Sequence, residues 1–187
     1  MSSTATPTAP DRYHYDRQQR LFHWLMAAII FTAIGLGVWA AFLEPGTSPR
    51  REILDIHKSL GMTALVLVVL RLVYRLLAGE PLYRNAPPAL THLAARLAHL
   101  ALYGLMFFMP LTGYLFSASG NYSLPWFGLF SWPRLLPLDK ARALLGESLH
   151  YWGAWAIGAV LTLHVLAVAW HVLVRKDEVL ERMLPGK

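Results

Sequence analysis

Residues 21–43 read LFHWLMAAIIFTAIGLGVWAAFL, a run without a single Asp, Glu, Lys or Arg. A helix needs about 20 apolar residues to cross the hydrocarbon layer of a bilayer, so this run reads as a membrane span. Residues 97–116 form a second uncharged run, interrupted by Pro110, which is expected to kink it. Residues 149–174 form a third and the longest. A fourth candidate, 53–77, carries Asp55, Lys58, Arg71 and Arg75 near its ends but is uncharged from 59 to 70. Long basic side chains near helix ends can extend to the interface, so this segment also counts as a span. The expected fold is all-α, a transmembrane four-helix bundle.

Composition agrees. The chain has 187 residues, 56% of them hydrophobic and only 15% charged, which disfavours a disordered chain or a soluble enzyme domain. It has no cysteine, which excludes disulfides, thiolate metal sites, cysteine-ligated iron–sulfur clusters and c-type haem attachment. Any metal must be held by His, Met or carboxylates. The net charge of +6 is not gathered in a basic run on a polar domain, so nucleic acid is not an expected partner and the lipid bilayer is.

Residues 1–15 are read as a polar, disordered tail without a signal peptide's apolar stretch, and 16–187 as one domain. Pro, Gly and Ser mark loops at 44–49 and 79–88 and a longer connection over 117–148. In that connection Trp126, Phe127, Phe130 and Trp132 suggest an interfacial aromatic cluster or a short re-entrant cap. Arg12, Arg17, Arg20, Arg71, Arg75, Arg84, Arg96, Arg175, Lys176, Arg182 and Lys187 fall on the side of the termini. They outnumber Arg50, Arg51, Lys58, Arg134, Lys140 and Arg142 on the other, so both termini are expected in the cytoplasm.

Histidines at membrane depth are functional candidates, although a lone one more often makes an interhelical hydrogen bond. His150 and His164 are fourteen residues apart on the last helix, which leaves them about 40° apart around the axis and ~21 Å along it. His57 enters from the same side as His150, and His23 from the side nearer His164. Two stacked bis-histidine sites follow. Zinc is a poor fit, since it takes three or four protein ligands. A low-spin haem takes two trans ligands, and its flat apolar ring suits the inside of an apolar bundle. Gly35, Gly37, Gly61, Gly113, Gly153 and Gly158 are small enough to let such a disc approach the backbone.

The order RLFHW at 20–24, IHKSLG at 56–61, LAHL at 97–100, PWF at 125–127, and His150, His164 and His171 before KD at 176–177 and MLP at 183–185 resembles the bacterial cytochrome b561 family. That resemblance implies an inner-membrane four-helix bundle with two haem b groups. His57 and His150 would ligate the outer haem iron, and His23 and His164 the inner one. It further implies an oxidoreductase, of which one type passes electrons from superoxide at the periplasmic face to ubiquinone. A cytochrome subunit serving a dehydrogenase or hydrogenase partner would look much the same.

For superoxide, Lys58, Arg134, Lys140 and Arg142 are the expected anion funnel, or else a solvated loop with counter-ions for haem carboxylates. His171, seven residues beyond His164, is placed to meet a quinone carbonyl or relay a proton, with Arg75 and Arg175 as neighbours, or else to cap its helix. His99 could compete with His23 as a ligand, but a supporting role is expected for it. His14 and His92 receive no chemistry. Trp24, Trp39, Trp152, Trp155 and Trp170 are expected to be interface anchors or haem-packing surface.

Overall fold

The computed structural model describes residues 13–185, so most of the expected polar tail lies outside the described residues. Four long helices carry the fold: α1 (Arg17–Ala41), α2 (Ser48–Ala78), α3 (Ala89–Ser119) and α4 (Lys140–Trp170). All four are long and apolar enough to cross a membrane, the last continuing to Arg175 through a π turn at His171–Arg175. They outrun the apolar stretches read from the sequence because polar residues continue each helix past the hydrocarbon. A 31-residue helix such as α2 is about 46 Å long, against a hydrocarbon thickness of roughly 30 Å. No break appears at Pro110, which is buried within α3.

Local chemistry sets the helix ends. Asp16 caps α1 by accepting the Gln19 N–H at 2.8 Å, and Asp139 caps α4 by accepting that of Arg142 at 2.8 Å. Pro49 sits in the first turn of α2, where its missing N–H costs nothing. Gly79 ends α2 with φ of 76°, a conformation that favours glycine.

Two faces result. Both described chain ends and the 79–88 loop lie on one, called here the terminal face. The 42–47 loop and the connection between α3 and α4 lie on the other, the hairpin face. That connection is shorter than expected, because α3 runs to Ser119 and α4 starts at Lys140. In place of a re-entrant cap it holds a small antiparallel hairpin pairing Pro125 with Ser131 and Trp126 with Phe130. The aromatic cluster is there: Trp126 packs on Phe127 and Phe130, and Phe130 on Trp132. The hairpin is pinned to α2. Buried Ser59 accepts the Phe127 N–H at 2.9 Å, and Trp126 donates its indole N–H to Thr63 at 3.1 Å.

Helix α1 packs along α2, α3 along α4, and the two pairs meet where α2 touches α3. Helices α1 and α4 do not pack closely. The small buried core is Met26, Ala64, Val68 and Met106, one or two from each of α1 to α3. Most large apolar side chains instead point outward, as a bilayer solvent demands.

Close helix contact between α3 and α4 depends on Gly146. A Cβ there would lie 2.6 Å from the Phe116 backbone nitrogen, and backbone cannot move aside cheaply. Gly146→Ala is therefore expected to destabilise the detergent-solubilised chain by about 1–3 kcal/mol. Gly104→Ala, on an exposed helical position with nothing within 4 Å, should keep or slightly raise the thermal unfolding midpoint.

Candidate functional site

The hairpin-face site is built twice over by one rule. His57 of α2 places Nδ1 2.8 Å from the Ala33 carbonyl of α1, and its ring lies against Gly37. His150 of α4 places Nδ1 3.0 Å from the Met109 carbonyl of α3, and its ring lies against Gly113. In both cases the carbonyl lies four residues before a glycine whose Cβ would sit 3.2 Å from the imidazole Cε1. A carbonyl only accepts, so each Nδ1 carries the ring proton and each Nε2 keeps a free lone pair. Donation of the other ring N–H to a backbone carbonyl is the usual support of a metal-bound histidine.

The two rings stand 5.9 Å apart between centres. Two imidazoles on opposite sides of one ion, with bonds of about 2.0–2.1 Å, have ring centres about 6 Å apart. Two facing imidazoles are the donor set that a haem iron would take. A Cβ at Gly35, Gly61 or Gly158 would meet nothing within 4 Å. The other glycines lie against side chains. Gly37 and Gly113 seat imidazoles, and Gly153 faces Met109 and Phe108.

The terminal-face site has the same depth relation but a different construction. The His23 and His164 ring centres are 6.5 Å apart. His99 brings its own ring to 5.6 Å from His164, so two histidines flank it. His23 Nδ1 is met by the Arg71 guanidinium at 2.9 Å, which has only donors to offer. Arg71 lies fourteen residues beyond His57, the spacing that separates His150 from His164, and that repeat was the available signal for it.

His171 opens the π turn and meets Asp177, Nδ1 to Oδ2 at 2.6 Å. The expected neighbour Arg75 pairs instead with Glu80, and no hydrogen bond joins Arg175 to His171. Tyr15 lies in a crevice beside Arg71 and Arg75, and burial lifts its phenol above the ordinary value, keeping it neutral. His92 packs edge-on to Tyr83. Trp24 donates to the Met183 carbonyl at 2.9 Å, whereas Trp39, Trp152, Trp155 and Trp170 are exposed.

The four basic residues expected to draw an anion are individually placed on the hairpin face. Lys58 donates to the Ser123 carbonyl at 3.0 Å and pairs with Asp55, and Arg142 pairs with Asp139. Arg134 and Lys140 are exposed. Glu44, Glu52, Asp55, Asp139 and Glu147 on this face nearly balance its six basic residues.

A family model described as prokaryotic cytochrome b561 matches residues 14–186. Cytochrome b561 homolog 2 of Escherichia coli (strain K12) is 33% identical over 184 residues, 98% of this chain and 95% of the relative. Cytochrome b561 homolog 1 of the same organism is 30% identical over 178 residues, 92% and 98% respectively. A probable superoxide oxidase CybB of Yersinia pestis is 29% identical over 175 residues, 88% and 92%.

Replacing His57 or His150 with Ala should remove the pigment of one site and leave that of the other, read by haem content and reduced spectra of the purified chain. At the terminal level His164→Ala and His23→Ala should each lose pigment and His99→Ala keep it. The reverse pattern for His23 and His99 would make His99 the partner of His164.

Proposed function

This chain belongs to the prokaryotic cytochrome b561 family, and from that premise we propose that it carries single electrons from superoxide at the hairpin face to ubiquinone across a bacterial inner membrane. Membership makes it a membrane electron-transfer cytochrome that binds b-type haem. Its orientation, haem count, donor and acceptor are our reading. The terminal face, with both chain ends, lies in the cytoplasm.

The carrying observation is the pair of facing histidines at each of two depths, His57 with His150 and His23 with His164. Each pair would hold one haem b iron, and a bound haem supplies a one-electron site cycling between ferric and ferrous states. The protein contributes orientation and dryness. Ala33 and Met109 fix the His57 and His150 rings through their carbonyls. Met26, Ala64, Val68 and Met106 exclude water between the two levels, since each lies between the inner and outer site residues of its own helix.

Two superoxide anions each give up one electron and leave as dioxygen; one ubiquinone takes both electrons and two protons to become the quinol. Lys58, Arg134, Lys140 and Arg142 supply the local positive charge for anion entry. Because acids of the same face nearly cancel it, steering is short in range and weakly salt-dependent. His171 is the residue placed to hand a proton to a quinone oxygen. The relative named a probable superoxide oxidase supports the donor, and the terminal position of His171 supports the acceptor side.

The purified chain, given a steady superoxide flux and a soluble ubiquinone, should form one quinol per two superoxides consumed. His171→Ala should keep its haem and lose quinol formation by roughly 10²-fold, the lower end of a general acid's contribution. Haem that superoxide leaves oxidised, and that is reduced only by a co-purifying dehydrogenase or hydrogenase, would overturn superoxide as donor.

A further inference from the structure

Arg71 is a cation within a span and has no acid to pair with among the described residues. Charges at membrane depth persist by pairing or by facing a polar cavity. Its neighbours on the terminal face follow that rule: Arg75 pairs with Glu80, Arg84 with Glu178, and Arg182 donates to the Tyr13 and Pro81 carbonyls. Arg71 donates to His23 Nδ1 at 2.9 Å, and its guanidinium carbon lies 5.6 Å above the ring of Tyr103, whose hydroxyl is its other polar neighbour. The Tyr103 hydroxyl is itself buried with no hydrogen-bond partner. Both side chains line one crevice, together with Gln19 and Arg75.

The bond to His23 cannot survive ligation through Nε2. Accepting from a guanidinium puts the ring proton of a neutral His23 on Nε2, whereas a ligand bound through Nε2 has its proton on Nδ1. Binding a metal therefore takes the histidine acceptor from Arg71 and leaves a cation and a phenol side by side, two donors with no acidic partner among the described residues. At the hairpin level no such conflict exists, because both Nδ1 atoms already face carbonyls.

We propose that Arg71 and Tyr103 form a carboxylate-binding site for the terminal-level prosthetic group, holding a propionate side chain of its porphyrin. This inference rests on the two-haem reading above. Haem b carries two carboxylates, and a guanidinium beside a phenolic donor suits one of them. The pairing also anchors the group at its depth and biases its potential, because a nearby cation disfavours the ferric state.

The test uses the purified full chain with Arg71→Gln, Arg71→Lys and Tyr103→Phe, read by potentiometric titration. Infrared redox-difference spectra of protein containing haem ¹³C-labelled at the propionate carboxylates give the second readout. One of the two titration steps should fall to lower potential in Arg71→Gln and largely recover in Arg71→Lys. The other step should stay in place, which also certifies the fold. The labelled carboxylate band should move in Arg71→Gln and in Tyr103→Phe. Unmoved labelled bands with both haems present would overturn the assignment alone, and a shift confined to unlabelled bands would assign Arg71 to another anion, such as a lipid phosphate. A wild-type chain with a single haem would overturn the two-haem reading and this assignment together.

Discussion

A fourteen-residue spacing, repeated on all four long helices, is the constraint from which the rest of the structure follows. It separates His23 from Gly37, His57 from Arg71, His99 from Gly113 and His150 from His164. Each helix thereby contributes one residue to each of two levels ~21 Å apart along its axis. At the hairpin level the four are two glycines and two histidines, so each imidazole has a seat without a Cβ and a carbonyl beside it. At the terminal level they are three histidines and an arginine. The same geometry thus builds a neutral, carbonyl-supported site at one end and a charged, more crowded one at the other.

The loose packing of α1 against α4 belongs to the same design. Those two helices carry His23 and His164, whose rings meet across the gap between their backbones. The hairpin face is closed by Ser59 and Trp126, which tie the small β-ladder down onto α2. The terminal face is closed by Arg182. Only 4% exposed, it lies 3.8 Å from the Tyr83 ring centre and donates to two carbonyls, while its own carbonyl accepts the Tyr15 N–H at 3.0 Å. Arg182 thus joins three chain segments through carbonyls and a ring, and Arg84 adds a pairing with Glu178 beside it. Arg20 adds a bond to the Leu184 carbonyl at 2.8 Å.

The four spans were legible in the sequence because a bilayer leaves a one-dimensional mark: a run of apolar residues of the right length. The histidine pairs were legible for a related reason, since depth along a span can be counted. What could not be counted is lateral direction. Nothing in the run 30–43 says that Gly37 faces His57 while Gly35 faces open space. Arg71 reads in sequence as one more basic residue near a helix end, and only its contact with His23 separates it from Arg75. The His171–Asp177 pair depends on a π turn and on Lys176 at φ 50°, a backbone choice that composition does not reveal. Arg182 entered the sequence reading only as a topological charge, because its carbonyl and aromatic partners lie far away in the chain.

Two levels of facing histidines should mean two haems, and their number per chain is the most direct measure of that claim. Pyridine haemochrome content set against protein determined by amino-acid analysis, on chain purified from iron-replete cells, should give two haem b per chain. A value of one, or a colourless chain, would contradict it.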